Sequence, residues 1–209
     1  MKIMERIYRC KNGVTERTRY LVGDNARPRG KRKGGTSPRK QEQNFNSAIR
    51  KLARLLNCNC TPEGGLLVTL RFSGAGLEAI RSAAGDDKDK LRDAAEHQAM
   101  LWLRRLRRKN KAAMPFYVVA ASDMDGETGE ERRVHVHVCL QTDGSISWEQ
   151  MRTGWRLGTT DIRSLRDQDD YTPIASYMLR QVRRVPDRKK YKVSREAIQP
   201  TTEEKEIIL

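Results

Sequence analysis

Two patterns of apolar residues predict where this chain forms strands and helices. Strands are expected where apolar and polar side chains alternate or β-branched residues cluster, and helices where apolar side chains recur every three or four positions. Short connections between strands favour an α+β fold with a central antiparallel sheet of about five strands flanked by helices. The predicted strands are Ile7–Cys10, Val14–Val22, Leu66–Phe72, Pro115–Ala121, Arg132–Gln141 and Trp155–Ile162, and the predicted helices are Gln41–Asn57, Asp86–Lys109 and one that opens at Thr172.

Local signals support several of these elements. Asn12-Gly13, between the first two strands, favours a hairpin turn. In the third predicted strand Thr69 and Arg71 share one face, opposite the apolar residues. Thr172 is the expected N-cap of the last helix, with Pro173 at its first position.

The long helix Asp86–Lys109 carries acidic residues in its first turn and arginines in its last, which suits the helix dipole. His97 lies opposite its apolar stripe, so this histidine is expected at the surface. The stripe that we expect to be buried comprises Leu91, Ala95, Ala99, Trp102, Leu103 and Leu106.

Composition divides the chain into four parts. Residues 1–23 are the hairpin, 24–43 a basic flexible arm rich in Gly and Pro, 44–185 the main domain, and 186–209 a basic tail that ends in an acidic segment. The four cysteines match neither a disulfide framework nor a zinc-ligand spacing, so free thiols are expected.

Positive charge is concentrated in the flanks of the chain. The formal net charge is +15, with +12 in residues 1–57, +7 in residues 180–195 and −1 in residues 58–179. Such flanks favour a polyanionic partner bound through its phosphates. No apolar stretch is long enough to span a bilayer, and no Gly-rich phosphate loop with Lys and Ser/Thr occurs, so we expect no membrane association and no ATP use.

The strongest candidate site is a histidine pair. His135 and His137 are two of only three histidines, and they alternate with valines in a predicted strand. Residues two apart in a strand leave the same face, so both imidazoles can bind one metal ion. The alternative is an edge strand whose polar face happens to carry histidines.

Tyr177 is the candidate nucleophile. In helical projection it lies with Arg180, Gln181 and Arg184, away from the apolar residues of the same helix. A cation one turn away can hold a phosphate and lower the pKa of the phenol. The alternative is a surface tyrosine on a basic helix. Tyr171, just before the N-cap, is the reserve nucleophile, although its position is more typical of a packing residue. Tyr191, in the basic tail, is a weaker candidate nucleophile.

These segments resemble the HUH endonuclease superfamily, and within it the rolling-circle replication initiators of small plasmids and single-stranded DNA phages. The resemblance covers most of the chain beyond the arm, and the His pair precedes the Tyr as in those initiators. The matching segments are Leu66–Phe72, Phe116–Ala120, the His135/His137 pair and Ile174–Gln181.

The resemblance implies a Mg²⁺ or Mn²⁺ ion held by His135, His137 and a carboxylate, for which Asp123 is the candidate. Tyr177 would then cut single-stranded DNA, leaving a 5′-phosphotyrosine and a free 3′-hydroxyl. Arg180 stands where relatives often have Lys, and it would stabilise charge on the phosphate. Residues 44–185 would form the nickase domain.

The implied partners are single-stranded DNA or an origin hairpin, a host helicase and a host polymerase, in a bacterial cytoplasm. Two alternatives remain open at this stage: a single-stranded-DNA transposase of the same superfamily, and a non-catalytic basic nucleic-acid-binding protein. The residues expected to bind nucleic acid are Gln181, Arg183, Arg184, Arg188, Lys189, Lys190, Arg29, Lys31, Arg32 and Lys33.

Overall fold

The computed structural model describes residues 2–23, 36–85, 87–111, 114–185 and 188–207. Within them the chain forms the predicted α+β fold, with a five-stranded antiparallel sheet flanked by helices and a second sheet of three strands. The strands are β1 (Lys2–Arg9), β2 (Thr15–Val22), β3 (Gly65–Phe72), β4 (Phe116–Met124), β5 (Glu131–Gln141), β6 (Gly158–Ser164), β7 (Lys192–Val193) and β8 (Thr201–Ile207). The helices are α1 (Pro38–Asn59), α2 (Gly74–Ala84), α3 (Lys88–Asn110), α4 (Trp148–Gly154) and α5 (Thr172–Arg180).

The larger sheet has the strand order β6-β3-β5-β4-β7, so β5 lies at its centre. Alternate residues of β3, β4 and β5 are buried on opposite faces, because successive side chains of a strand point to opposite sides. Helices α2, α3 and α4 cover one face, and α1 and α5 cover the other. A central strand buried on both faces explains why β5 carries so many apolar residues.

The face under α2, α3 and α4 carries the even-numbered apolar residues of β3 and β5. Trp102 of α3 is completely buried there, and its indole N–H donates to the Met151 carbonyl of α4 at 3.1 Å. The predicted stripe of α3 packs into this layer, with Leu91 half-buried at its margin, and His97 is exposed as expected. Asp87 caps α3 by accepting from the Asp89 and Lys90 amides.

The opposite face carries Leu67, Val118 and Cys139, together with the histidines of β5. Helix α1 packs against α5 above this face. Cys60 and Cys139 approach to 3.8 Å between their sulfurs, and all four cysteines are buried free thiols. The prediction of free thiols is therefore confirmed.

The acidic end of the chain forms a strand that sequence patterns did not predict. β8 pairs antiparallel with β1, which also pairs with β2, in the order β2-β1-β8. Lys2 pairs with Glu206 across this sheet at 2.9 Å, and Arg9 pairs with Glu203 at 3.2 Å. The acidic segment thus balances cations of the N-terminal hairpin.

Several element boundaries differ from the sequence prediction. Helices α2 and α4 were not predicted, and Trp155 ends α4 instead of starting β6. The last helix begins one residue earlier than predicted: its N-cap is Tyr171, which makes no side-chain capping bond, and Thr172 is its first helical residue. The Asp170 carboxylate accepts from the Thr172 amide at 2.9 Å and from its hydroxyl at 2.7 Å, so the first amide of the helix has a partner.

Part of the predicted basic arm, including Arg29, Lys31, Arg32 and Lys33, lies outside the described residues. In the described part of the chain, no helix has both the length and the apolar character that crossing a membrane requires.

Candidate functional site

The histidine pair lies at the centre of the larger sheet. His137 is paired with Thr69 of β3 and Ala120 of β4, and His135 with Arg71 and Ser122. Both imidazoles leave the face covered by α1 and α5, as the alternation in β5 predicts. Their Nε2 atoms are 3.1 Å apart, so they converge on one point in front of the sheet.

Hydrogen bonds to the far side of each ring orient this pair. His135 Nδ1 lies 3.1 Å from the Arg133 carbonyl, which can only accept. We therefore infer that Nδ1 carries the proton of the neutral His135 ring and that its Nε2 presents a lone pair. His137 Nδ1 lies 3.2 Å from the Thr69 hydroxyl, which can donate or accept, so this contact orients the second ring without selecting its tautomer. Metal-binding histidines are usually held by such partners.

Burial keeps His137 neutral. Its side chain has no exposed surface, and this desolvation lowers its pKa to about 3, with His135 and Arg71 contributing in the same direction. A contact with Gln181 acts in the opposite sense. The ring is thus an unprotonated donor at neutral pH, which is the form that binds a metal ion.

Gln181 supplies a third donor atom that the sequence did not assign to this role. Its Nε2 donates to the Tyr177 carbonyl at 3.2 Å, which turns Oε1 toward the histidines. Oε1 lies 3.2 Å from His135 Nε2. This contact is a hydrogen bond when Nε2 carries the ring proton; with the proton on Nδ1, the Nε2 lone pair and the amide oxygen repel each other unless a cation bridges them.

The three converging donors fit a divalent cation, since two imidazoles and an amide oxygen form a mixed nitrogen and oxygen set. Among the residues that the structure describes, no three His, Cys, Asp or Glu side chains come together to hold a metal.

Tyr177 stands directly beside the histidines. Its ring centroid is 5.1 Å from that of His137, with 60° between the ring planes, and 48% of its surface is exposed. Tyr177 and both histidines line a groove of about 510 Å³, the His–Tyr groove. The groove is lined by Thr69, Arg71, Phe72, Met124, Asp125, Arg132, Arg133, Val134, His135, His137, Thr159, Tyr177 and Gln181.

Helix α5 is fixed at its C-terminal end by strand β4. The amides of Asp123 and Met124 both donate to the Gln181 carbonyl at 3.1 Å. These bonds are made at the irregularity of β4 between Ser122 and Met124, where pairing with β5 shifts. The bulge thus places Tyr177 and Gln181 over the histidines.

Asp123, the expected third ligand, does not lie with the histidines. It faces the other side of the sheet, where its Oδ2 accepts from Arg183 Nε at 2.9 Å. The reason is strand parity, because Ser122 faces the histidines and the next residue must point away. Asp125 is the carboxylate that lines the groove, and backbone amides of Thr128 and Glu127, together with Arg132, lower its pKa to about 2.

Arg180 also lies elsewhere. It lines a neighbouring groove with Glu127 and Arg184, and it is absent from the lining of the His–Tyr groove. The cations that line the His–Tyr groove are Arg71, Arg132 and Arg133. The sequence places Arg71 on the same strand face as Thr69. It does not show which strand pairs with this one, so it could not place Arg71 beside the histidines.

Several of the residues expected to bind nucleic acid are engaged in ion pairs. Arg183 pairs with Asp123 and with Glu131, the latter at 2.8 Å. Arg184 pairs with Glu42 and Arg188 with Asp93.

Lys189 is exposed, and Lys190 lines a groove with Tyr191. Burial and the nearby Arg184 and Arg92 lower the pKa of Lys190. Tyr191 therefore does not line the His–Tyr groove.

The reserve nucleophile Tyr171 is buried under α1. Only 1% of its surface is exposed, its hydroxyl has no hydrogen-bond partner among the described residues, and desolvation raises its pKa to about 12. It therefore packs in the core, as its position before the helix indicated, and it does not open into the groove.

A scan against protein-family models, a search of curated proteins and a search of solved structures each return no match for this chain. Its function is therefore inferred from the geometry of the site.

Proposed function

We propose that this protein is a single-stranded-DNA nickase that uses Tyr177 as its nucleophile, and that it initiates rolling-circle replication. The single observation that carries the proposal is the contact of an exposed tyrosine ring with a paired-imidazole donor set, at 5.1 Å between the Tyr177 and His137 ring centroids. A structural tyrosine would be expected in the core, as Tyr171 is.

His135, His137 and Gln181 would hold the cofactor. When bound there, a Mg²⁺ or Mn²⁺ ion supplies Lewis-acid polarisation of a phosphodiester. Thr69 and the Arg133 carbonyl orient the two imidazoles, and the Tyr177 carbonyl orients the amide. The protein therefore presents its donor atoms in a preorganised form, which limits the entropy lost on binding.

Tyr177 carries out the covalent step. Its phenol loses its proton, its oxygen bonds to phosphorus, and the bond from phosphorus to the 3′ oxygen breaks. The leaving oxygen takes up a proton to become a free 3′-hydroxyl, while the 5′ side remains linked as a phosphotyrosine. The link conserves the energy of the phosphodiester bond for later rejoining.

Arg71 and Arg133, which have no ion-pair partner among the described residues, would bind the phosphates of the DNA strand in the groove, beside Arg132, which pairs with Asp125 at 2.8 Å. Arg71 is exposed and lies beside His135 in the register of β3 and β5. Arginine binds phosphate with two parallel hydrogen bonds, so it positions as well as attracts the strand.

The free 3′-hydroxyl would serve as a primer in a bacterial cytoplasm. A host polymerase would extend it and a host helicase would separate the strands, because the sequence has no phosphate loop for ATP. Replication therefore requires partners that supply the motor and the synthesis.

A covalent-adduct assay tests the proposed nuclease activity. The protein is incubated with labelled single-stranded DNA and Mn²⁺, and we expect a protein–DNA adduct on a denaturing gel that is lost with EDTA. Tyr177→Phe should abolish the adduct, because the nucleophilic oxygen is removed without a change in ring packing.

Tyr171→Phe is the matched control. It removes a buried hydroxyl that makes no hydrogen bond to the described residues, so it should leave the adduct unchanged. An adduct that persists in Tyr177→Phe, or that the wild type never forms, would overturn the proposal and favour a non-catalytic nucleic-acid-binding protein.

Replication is distinguished from transposition by the fate of the cleaved 3′ end. With a circular single-stranded template that contains the cleaved sequence, the initiator should yield product in which a polymerase extends the new 3′ end. Transfer of that end to a second DNA without extension would favour a transposase.

A further inference from the structure

A second cavity lies on the other side of β5 from the His–Tyr groove. Its volume is about 310 Å³, at the lower end of the range of about 300–1,000 Å³ that is usual for small-ligand sites. It is enclosed by the end of α2, the first turns of α3 and the first residues of β5. Its walls are formed by Leu77, Arg81, Gly85, Lys88, Leu91, Arg92, Asp123, Glu131, Arg132, Arg133, Val134 and Arg183.

The lining of this cavity is strongly cationic. Six of its side chains are Lys or Arg, and only Asp123 and Glu131 are acidic. Glu131 pairs with Lys88 at 2.6 Å and with Arg183 at 2.8 Å. In the described part of the chain Arg81 and Arg133 have no ion-pair partner, so positive charge remains for a bound anion.

Two residues that line this cavity each have a buried polar atom without a partner among the described residues. Arg92 is 4% exposed, and its Nε has no hydrogen-bond acceptor. Asp123 is 7% exposed, and its Oδ1 has no donor. A buried polar atom without a partner is destabilising, so these two atoms favour a ligand that both accepts and donates hydrogen bonds.

The cavity and the His–Tyr groove share one wall. Arg132, Arg133 and Val134 line both spaces, and they lie at the end of β5 that extends beyond its last pair with β3, Arg71 and His135. A DNA strand that lies in the His–Tyr groove can therefore pass the first residues of β5 and reach the cavity within a short length of DNA.

We propose that this cavity is a nucleotide-binding subsite that takes one unstacked nucleotide of the single-stranded DNA substrate. Arg81 binds its phosphate, while Arg92 and Asp123 hydrogen-bond to the edge of its base. A nucleotide is favoured over a simple anion because the base supplies the donor that Asp123 requires. That the bound nucleotide belongs to single-stranded DNA rests on the proposed function.

The test is a titration of the isotope-labelled full chain with deoxyguanosine monophosphate, followed by NMR of the backbone amides. We expect shifts at Arg81, Arg92 and Asp123. Arg81→Ala should weaken binding about tenfold or more, which corresponds to the loss of one charge-assisted hydrogen bond. Arg104→Ala is the matched control, since Arg104 is an exposed residue of α3 outside the cavity, and it should change affinity less than about twofold.

Two results would overturn the subsite. One is an equal loss of affinity in the Arg81→Ala and Arg104→Ala variants, which would indicate general attraction to a basic surface. The other is binding of inorganic phosphate with the same affinity and the same amide shifts, which would leave the base without a role. Because the titration requires no cleavage, its outcome is independent of whether the Tyr177 adduct forms.

Discussion

Thr69 is a single residue on which the geometry of the candidate metal site depends. Its hydroxyl is 3.2 Å from His137 Nδ1, and only 7% of its surface is exposed. His137 is fully buried, so little water is available to replace this contact. Without this contact the neutral ring would lose the hydrogen bond that orients its Nε2 toward His135.

We expect Thr69→Val to raise the Mn²⁺ concentration needed for half-maximal adduct formation by about 10- to 100-fold, the usual effect of losing a residue that orients a metal ligand. A Mn²⁺ titration of the adduct assay measures it. Thr69→Ser retains the hydroxyl and should behave like the wild type. Equal behaviour of the valine and serine variants would show that this hydrogen bond does not support metal binding.

Helix α5 carries Tyr177 and leads directly into Gln181, and its neighbours fix it at both ends. At its start, Asn57 of α1 accepts from the Tyr171 amide at 3.0 Å and donates to the Asp170 carboxylate at 2.9 Å. Its C-terminal end is held by β4 through the Gln181 carbonyl. Because Tyr177, the proposed nucleophile, and Gln181, the proposed third donor, are one helical turn apart, they keep their spacing when the helix is held.

Asn57→Ala should lower the free energy of unfolding by about 1–3 kcal/mol, because it leaves the buried amide of Tyr171 without an acceptor. Urea unfolding followed by circular dichroism measures this loss. Asn46→Ala, at an exposed position of α1, is the control and should have almost no effect. Equal stability of the two variants would mean that Asn57 does not fix α5.

Over the whole molecule, net charge and ion pairing have different roles. The chain carries 42 basic and 27 acidic residues, and many arginines near α5 are already paired with acids. Those ion pairs connect the residues that follow α5 to α1, α3 and β4. The charge left over attracts a polyanion without sequence specificity.

We expect affinity for single-stranded DNA to fall steeply with salt. If about five phosphates are neutralised, the log–log slope against NaCl is about −3.5, a loss of about 100-fold between 50 and 200 mM. Fluorescence anisotropy with a labelled oligonucleotide measures the slope. Binding that does not change with salt would contradict a role for the excess positive charge.

The sequence by itself determined which residues share a strand or helix face. The alternation around His135 and His137 and the helical projection of Tyr177 depend only on local periodicity, and the structure agrees with both. The α+β class and most of the long elements followed from the same patterns. The short helices α2 and α4 were missed because two or three turns contain too few apolar positions to establish a period.

Which strands pair and which helix faces pack against them was decided only by the tertiary structure. The register of β4 against β5 turns Asp123 away from the histidines, and the register of β3 brings Arg71 beside them. The packing of α5 on β4 aims Gln181 at His135 and leaves Arg180 in another groove. Strand pairing and helix docking join residues far apart in the chain, so no local pattern specifies them.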